Sequence, residues 1–350
     1  MQKNVEIANE SFISSKSFSN LADLIYSETI STEDYIRINS KNTLIVSKTN
    51  TNEYKTVTYK KNFFKLYEND IIFSNTEVID DLFFHLRKID NLNNLTLITS
   101  ECDVRIDKYL YNKKPSCIKK WYSANIDFEH EDLISIPLGL AKEFSKKNAN
   151  FKNFKDFNSE IFTKNNSVSM YVNFQENTNY THRKNLYSYF KDLNWVTCDD
   201  PNQPITSFIE RMKNHTFSLC PWGNGIDTHR IFESLYLGTI PVVKYHKTYQ
   251  YLEELPVVFV NNYKDINKEY LNEWLSKFNI NNYNFQKLNQ LWWEQNYFND
   301  KKESDIFVEI KETETENTYL STKRENKNNR HRKLKKLKTY KRKIYKALNI

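Results

Sequence analysis

The stretch of sequence that decides the fold is residues 217–243, which read FSLCPWGNGIDTHRIFESLYLGTIPVV. Its first four residues form an apolar run that closes at a proline, a pattern typical of a strand end. Three of the chain's four glycines lie in this stretch. Gly223 and Gly225 follow the proline closely, and we expect them to form a tight loop that is able to take positive φ.

A helix and a second strand follow the glycine loop. Asp227 or Thr228 is suited to cap the helix N-terminus, and apolar residues then recur at helical spacing. Gly238 is placed to end the helix, and residues 240–243 form the next apolar run. The order strand, loop, helix, turn, strand predicts a parallel βαβ unit.

Two charged side chains of this helix carry the first functional hypothesis. Arg230 and Glu233 are three residues apart, so they lie on one helix face near the N-terminus. That end of a helix favours anions through its free N–H groups and the macrodipole. A cation beside a carboxylate there suits a ligand with both phosphate groups and sugar hydroxyls. The alternative is a surface salt bridge on an ordinary βαβ unit.

The bulk composition indicates a folded protein of two domains. The chain has 350 residues, is 39% hydrophobic and contains 23 Tyr and 23 Phe, which argues against disorder. Its four cysteines form no CxxC pair, which disfavours a disulfide framework or a zinc module. No apolar run of about 18 residues and no apolar leader are present, so we expect a cytoplasmic protein that does not span a membrane.

The basic charge is concentrated at one end of the chain. The net charge is +7, but residues 323–350 hold thirteen Lys and Arg and one Glu, a net of +12, which leaves about −5 for residues 1–322. Nucleic-acid binding by the whole chain is therefore disfavoured. Apolar residues recur among these basic ones every three or four positions: Leu334, Leu337, Tyr340, Ile344 and Leu348.

That spacing predicts a basic amphipathic helix, the pattern of a segment that lies on an anionic membrane surface. We therefore expect a cytoplasmic protein, peripheral on the inner face of a membrane. Disorder of the isolated tail and nucleic-acid binding stay open as alternatives.

Strand-like and helix-like runs alternate along the chain, which predicts an α/β fold with mainly parallel sheets. Residues 1–40 predict helix or irregular structure. Strands are expected at 43–47, 56–59, 71–73, 95–99, 168–174, 195–198 and 257–260, and helices at 78–89, 182–190, 208–213, 264–278 and 285–298. The expected organisation is an α/β domain over 1–150, a linker over 151–166, a second α/β domain over 167–305 and a polar, then basic tail over 306–350.

Residues 217–243 resemble the C-terminal signature of the exostosin-like glycosyltransferases of family 47. The shared features are a strand ending in Cys-Pro, a short glycine loop, an arginine, an acidic residue three positions later, and a glycine followed by Ile-Pro-Val. The family 10 fucosyltransferases are more distantly similar, with a Glu-Lys pair where this chain has His229 and Arg230. Residues 119–140 and 169–190 resemble segments of related transferases of polysaccharide biosynthesis.

The resemblance implies a GT-B fold, in which two Rossmann-like domains face each other across a cleft. It implies a hexosyl- or pentosyltransferase that moves a sugar from a nucleotide-sugar, bound mainly by the second domain, to a glycan or glycolipid acceptor hydroxyl. No metal and no resident cofactor are expected. Two other functions stay open, a non-catalytic nucleotide- or sugar-binding module of the same fold and a nucleic-acid-associated protein that uses the basic tail.

Each expected donor contact has a structural alternative. We expect Glu233 to accept the ribose hydroxyls and Arg230 to hold a phosphate. In related folds the position of Arg183 meets the diphosphate, and Trp222 is suited to stack on a base or sugar ring. The alternatives are a helix-surface carboxylate, a salt bridge, a solvated arginine and a loop residue that covers the core. The remaining donor-binding candidates are Gly223, Gly225, Asn173, Asp227 and Thr228.

An inverting transfer needs a general base near the acceptor hydroxyl, worth roughly 10²–10⁴-fold in rate. Glu101 and Asp103 follow a predicted strand of the first domain, at the strand end where α/β sheets bind ligands. They are the candidate bases, and Asp127 and His130 are weaker candidates in another loop. Capping or salt bridging is the alternative for all four, and a retaining mechanism would not need such a base. We expect His229 to be a structural neighbour.

Overall fold

The computed structural model describes residues 4–38, 40–52, 55–164, 167–299 and 303–347. The strands are β1 (Glu6–Ile7), β2 (Leu24–Ser31), β3 (Thr43–Asn50), β4 (Lys55–Lys61), β5 (Phe63–Tyr67), β6 (Ile71–Asn75), β7 (Leu95–Ser100), β8 (Ile118–Ser123), β9 (Leu133–Ser135), β10 (Phe157–Asn158), β11 (Met170–Val172), β12 (Val196–Cys198), β13 (Phe217–Leu219), β14 (Ile240–Lys244), β15 (Val258–Val260) and β16 (Phe307–Lys311).

The helices are short, with one exception at the end of the chain. They are α1 (Thr32–Arg37), α2 (Ile79–Leu86), α3 (Lys108–Tyr111), α4 (Tyr180–Arg183), α5 (Leu186–Phe190), α6 (Ile205–Lys213), α7 (His229–Tyr236), α8 (Lys268–Ser276), α9 (Gln290–Trp293) and α10 (Glu314–Ala347). Among the described residues, no helix is both long and apolar enough to cross a membrane.

The first domain is built on a mixed sheet of seven strands in the order β3-β4-β2-β6-β7-β8-β9. The strands β2, β6, β7, β8 and β9 are parallel, while β4 is antiparallel to β2 and β3 is antiparallel to β4. One face of the sheet packs on α2, whose Leu82, Phe83 and Leu86 are almost fully buried together with Trp121 of β8. Helical spacing in the sequence predicted this apolar face of α2.

The second domain is built on a parallel sheet of five strands in the order β12-β11-β13-β14-β15. The chain adds β12 on one side of β11 and then β13, β14 and β15 on the other side. The direction of winding therefore reverses between β11 and β13. In open α/β sheets, ligands bind outside the carboxyl ends of the strands at such a switch point. The α/β class expected from the sequence is confirmed by these two sheets.

The turn between α7 and β14 has the expected geometry. Gly238 has a φ of 74°, in the left-handed region, and its N–H donates to the carbonyl of Leu235. The next N–H, of Thr239, donates to the carbonyl of Ser234 and completes the helix end. The strand, helix and strand predicted over 217–243 are thus present as β13, α7 and β14.

Replacing Gly238 by alanine is expected to destabilise the fold by about 1–3 kcal/mol. An L-residue is strained at this φ, and the new Cβ would lie 2.7 Å from side-chain atoms of Ile161. Gly223→Ala is the matched control, because φ is not positive there and the nearest atom to a new Cβ is 3.6 Å away. Urea denaturation of both variants measures the difference, and equal midpoints for the two would contradict the account.

The two ends of the chain cross the predicted domain boundaries. The N-terminal segment packs on the second domain, since Phe12 stacks on Tyr236 with ring centroids 3.8 Å apart and β1 pairs with β10. Residues 290–298 return to the first domain, where Phe298 contacts Tyr122. The strand β16 pairs with β5, so the tail predicted over 306–350 begins as part of the first domain.

One prediction for the N-terminal region was wrong. Residues 1–40 were expected to be helical or irregular, yet β2 lies within them and is an interior strand of the first sheet. Its neighbours β4 and β6 come later in the chain and supply its pairing. Local sequence does not specify partners at that separation.

Candidate active site

An arginine–glutamate pair on the first turns of α7 lies beside the end of β11, at the switch point of the sheet. Arg230 Nε donates to Glu233 Oε2 at 3.0 Å, and Arg230 Nη1 donates to the carbonyl of Asn173 at 2.7 Å, beyond the end of β11. The guanidinium carbon lies 4.2 Å from the ring centroid of Phe208. Within the described residues Arg230 Nη2 makes no hydrogen bond, so this edge of the fork is available to an anion.

The Glu233 carboxylate is almost fully buried and ion-paired, whereas a carboxylate that binds ribose from a helix surface would be exposed. Its side chain is 5% exposed, against 22% for Arg230. The salt bridge considered as an alternative is therefore present, and it fixes the orientation of the Arg230 fork. Asn173 is also buried, and its Nδ2 donates to the carbonyl of Asp200 at 2.8 Å. Its main chain rather than its side chain positions Arg230.

Arg183 is a buried clamp and not a solvated helix residue. Its three nitrogens donate to backbone carbonyls: Nε to Trp222 at 2.8 Å, Nη1 to Gln175 at 3.0 Å and Nη2 to Pro221 at 2.9 Å. Burial, with a smaller contribution from Arg230, lowers the pKa of Arg183 to about 10. The clamp ties the loop after β13 to the loop after β11. These contacts support a structural role more directly than the expected contact with a diphosphate.

Side chains of the first domain hold the glycine loop in place. Asp103 Oδ1 accepts the N–H of Gly225 at 3.0 Å. Asn125 Oδ1 accepts the N–H groups of Ile226 at 2.7 Å and Asp227 at 2.8 Å. A Cβ at Gly225 would lie 3.1 Å from both Asn125 and Asp103. The close approach of the two domains leaves little room for a side chain at this position.

The expectation of positive φ in this loop was wrong. Among the described glycines only Gly139 and Gly238 have positive φ, so neither Gly223 nor Gly225 uses that freedom. The left-handed residues near the loop are instead first-domain residues, Asn125 with φ 61° and Glu101 with φ 72°.

Asp227 joins the two domains from a buried position. Its Oδ2 accepts the N–H of Leu138 at 2.8 Å and the hydroxyl of Tyr251 at 2.6 Å, while Oδ1 accepts the N–H of Thr228 at 2.8 Å. Burial raises the pKa of Asp227 to about 6, although these hydrogen bonds favour the charged form. Thr228 is the N-cap residue of α7, but its side chain makes no capping bond. Both residues, expected near the donor, make their observed contacts within the protein.

A cavity of about 230 Å³ lies between the two domains and brings together both candidate bases. Its lining from the first domain includes Glu101, Asp103, Asn125 and Lys142, and its lining from the second domain is His229. Asp127 and His130, the weaker candidates, do not line it. Asp127 instead pairs with His246, and His130 accepts or donates a hydrogen bond with the hydroxyl of Tyr111 at 2.8 Å.

Glu101 has the properties of a strained and tuned carboxylate. Its backbone is in the left-handed region and its side chain is 3% exposed. Oε2 accepts the N–H of Thr29 at 2.7 Å, and Lys142 forms ion pairs with both Glu101 and Glu28. Burial raises the pKa of Glu101 to about 7, with Lys142 opposing and Glu28 adding to the shift. Backbone strain and a pKa near neutrality are features that cluster at functional sites.

His229 is a cavity residue whose role the sequence did not predict. Its Nδ1 lies 2.7 Å from the carbonyl of Gly139, and a carbonyl only accepts, so Nδ1 carries the proton. In the neutral ring, Nε2 therefore has the free lone pair. The sequence signal was its place directly before Arg230, at the start of α7. His229 thus lines the cavity, and the next residue, Arg230, lies at the switch point of the sheet.

Trp222 is buried and does not present a free face to the cleft. Its indole N–H donates to the carbonyl of Lys244 at 3.2 Å, and the rings of His182 and His246 lie against it with centroids 4.7 Å and 5.2 Å away. The sequence suggested either stacking on a base or sugar ring or a loop residue that covers the core, and these contacts support the second interpretation.

Comparison with models of known protein families finds none that matches the chain. Comparison with curated proteins finds no significant match. Among the described residues, no group of three or more His, Cys, Asp or Glu side chains is arranged to hold a metal ion. The resemblance of residues 217–243 to exostosin-like transferases stays a prediction.

Proposed function

We propose that the protein is a glycosyltransferase of GT-B architecture, which transfers a sugar from a nucleotide-sugar to a hydroxyl of a glycan or glycolipid. One observation carries the proposal. The first turn of α7 places Arg230 at the switch-point crevice of a parallel sheet and places His229 in a cavity that also contains Glu101. In this proposal the donor binds beside Arg230 and the acceptor binds in the cavity, and the consecutive residues His229 and Arg230 connect the two.

The donor is assigned to the crevice of the second domain. A switch point at the carboxyl ends of parallel strands is the common nucleotide-binding position of this sheet type. Arg230 presents its free Nη2 there, and its other nitrogens are fixed by Glu233 and by the carbonyl of Asn173. An arginine fixed in this way loses less side-chain entropy when it binds a phosphate. The metal-independent mechanism expected from the sequence is retained as part of the proposal.

The transfer step is assigned to the cavity between the domains. The acceptor oxygen bonds to the anomeric carbon of the donor sugar, and the bond from that carbon to the phosphate oxygen breaks. The electron pair of that bond leaves with the nucleoside diphosphate, and the acceptor proton passes to the Glu101 carboxylate. A base with a pKa near the operating pH is the most effective one for this step. Asp103 acts beside it by holding the N–H of Gly225.

The rate of transfer at saturating donor is expected to rise with pH and to level off above about 7. Glu101 is active only as the carboxylate, and its pKa is raised to about 7. Below that pH the active fraction falls tenfold for each pH unit. A profile of kcat from pH 5.5 to 9, with thermal melts at each pH to confirm folding, measures this. A flat profile, or a rate that falls between pH 6 and 8, would remove Glu101 from this role.

A non-catalytic binding module of the same fold is the competing function, because the crevice alone accounts for donor binding. Turnover separates the two. Release of nucleoside diphosphate from a bound nucleotide-sugar, with or without added acceptor, supports the enzyme. Binding without turnover across a range of glycan acceptors supports the module.

We also propose that α10 associates with an anionic membrane surface and that the protein is peripheral on the cytoplasmic face. The base of this helix is fixed to the first domain through the ion pairs Arg324–Asp81 and Lys327–Asp80 and through Leu320, which is 1% exposed. Residues 328–347 continue the helix with ten Lys and Arg and no acidic residue, over roughly 30 Å.

Two apolar side chains of this segment are exposed where a bilayer could take them up. Leu334 and Leu337 are more than half exposed, and the predicted Tyr340 and Ile344 also lie within α10. Leu348 lies outside the described residues. A helix with this composition is suited to lie in the headgroup region of acidic lipids.

Truncation after Lys327 is expected to abolish binding to vesicles that contain phosphatidylserine. Each Lys or Arg near such a surface contributes about 1 kcal/mol, and salt weakens the effect. Sedimentation of the full chain and of the truncated chain with acidic and with neutral vesicles measures this. Equal sedimentation of both chains would contradict the proposal. Binding of the full chain to polynucleotide but not to acidic vesicles would assign the tail to nucleic acid.

A further inference from the structure

Basic side chains lie around Trp222, which follows the end of β13. The ring centroid of His182 lies 4.7 Å from that of Trp222, and the ring of His246 lies 5.2 Å away. Lys244 Nζ lies 5.6 Å from the same centroid. None of these side chains has a role in the transfer step above. Together with Arg105 of the first domain, they are called the Trp222 cluster.

The cluster spans both domains. Arg105 Nη1 lies 3.6 Å from Asp127 Oδ2, and His246 Nε2 lies 3.0 Å from Asp127 Oδ1. Asp127 therefore connects the arginine of the first domain to the histidine of the second. Arg105 and Asp127 are each about one-third exposed, so the contact is open to a ligand in the cleft.

The cluster lies at the carboxyl ends of three neighbouring strands. His182 is in α4 after β11, Trp222 follows β13, and Lys244 is the last residue of β14. These strands are adjacent in the sheet, in the order β11-β13-β14. Ligands of parallel α/β sheets bind at this edge, and the Arg183 clamp joins this loop to the one that positions Arg230.

The positive charge of the cluster is only partly neutralised inside the protein. Asp127 faces both Arg105 and His246, and Lys247 next to them is paired with Glu129 at 3.6 Å. Within the described residues, Lys244 and His182 form no ion pair with a carboxylate. Lys244 is a cation without a carboxylate partner, and the neutral His182 imidazole beside it becomes a second cation when an anion favours its protonation. Together they suit an anion that carries more than one charge.

We propose that the Trp222 cluster holds one phosphate of the nucleotide-sugar diphosphate while Arg230 holds the other, with Lys244 and His182 on one side and Arg105 reaching across from the first domain. This inference rests on the proposed function and deepens it. It gives the diphosphate a binding site that does not require Arg183, whose three nitrogens already donate to carbonyls. It also explains why donor binding would draw the two domains together, since the phosphates take ligands from both.

Proton uptake is the expected signature of an anion at this site. The pKa of His182 is lowered by burial and then by Lys244 and Arg105. The pKa of His246 is also lowered by burial, with Asp127 opposing the shift and Arg105 and Lys247 adding to it. A bound diphosphate stabilises the protonated imidazoles and raises these pKa values. Binding near pH 7 should therefore take up protons, and affinity should fall as pH rises.

The test is calorimetric titration with inorganic pyrophosphate, with orthophosphate as the weaker ligand. Pyrophosphate is expected to bind the wild type, and Lys244→Ala and Arg105→Ala are each expected to weaken it about tenfold. Lys247→Ala is the matched control, since that lysine is paired with Glu129, and it should bind as the wild type does. Titrations in buffers of different ionisation enthalpy should show proton uptake that is reduced in His182→Gln. Thermal melts confirm that each variant is folded.

The outcomes separate this site from the proposed function. Unchanged pyrophosphate affinity in Lys244→Ala and Arg105→Ala, or no pyrophosphate binding by a wild type that turns over a nucleotide-sugar, overturns the site and leaves the transferase standing. Loss of pyrophosphate binding in both variants, in a protein that turns over no nucleotide-sugar, supports the anion site and removes the transferase.

Discussion

Replacing Glu101 by glutamine is expected to lower the rate of sugar transfer by roughly 10²–10⁴-fold while nucleotide-sugar affinity stays unchanged. Glutamine keeps the size of the side chain and an acceptor for the N–H of Thr29, but it cannot take the acceptor proton. The donor is assigned to the second domain, so its binding does not depend on this carboxylate. Single-turnover transfer and calorimetric donor binding, measured on the same preparation, separate the two effects.

A matched variant distinguishes the loss of a base from the loss of a charge. Glu28 is the second carboxylate paired with Lys142, and it does not line the cavity. Glu28→Gln should change the rate far less than Glu101→Gln does. Equal losses in both variants would show that the ion-pair cluster acts by positioning. A rate for Glu101→Gln within threefold of the wild type would rule out Glu101 as the base.

Replacing Arg230 by alanine is expected to weaken nucleotide-sugar binding by about 10–100-fold, the most severe loss of affinity expected in the crevice. The change removes the free Nη2 edge and leaves the buried Glu233 carboxylate without its cation. The free energy of unfolding should also fall by about 1–3 kcal/mol. This is less than the loss expected for a fully buried ion pair, because Arg230 is 22% exposed. Donor titration and urea denaturation measure the two effects separately.

The double variant Arg230→Ala, Glu233→Gln isolates the part due to the donor. Removing the negative charge should recover much of the stability but none of the affinity. Arg211→Ala is the control, since Arg211 is 56% exposed and pairs with Asp199 rather than with Glu233. Recovery of donor affinity in the double variant would show that Arg230 acts only through folding. Glu233→Ala alone should also lose donor binding, because the Arg230 fork is then no longer held.

Local signals in the sequence predicted the elements of residues 217–243 well, whereas the single helix expected over 285–298 is divided into three short helical segments. The glycine and helix patterns of 217–243 correspond to β13, α7, Gly238 and β14, since each feature depends on neighbours within a few residues. The first domain shows the limit. The strand β2 is paired with β4 and β6, and its partners begin more than twenty residues further along the chain. The hydrophobic period and the strand propensity of a segment do not specify which distant strands will pair with it.

The contacts of the candidate site were predicted from the sequence only in part, for the same reason. Arg230 and Glu233 lie on one helix face, so their spacing was enough to identify the pair. Arg183 resembled a solvated residue at a helix start, and only the folded chain brings three carbonyls to it. The contact of Asn125 with the N–H of Ile226 joins residues that are 101 positions apart. The same contact leaves little room for a side chain at Gly225, and local sequence gives no sign of it.

The most direct test of the central claim is a panel of nucleotide-sugars, UDP-, GDP- and CDP-linked, incubated with the full chain and with Arg230→Ala. Binding is followed by calorimetry and turnover by release of the nucleoside diphosphate. The account predicts that at least one donor binds and is turned over by the wild type and that Arg230→Ala loses that binding. A folded wild type that neither binds nor turns over any member of the panel would contradict the account.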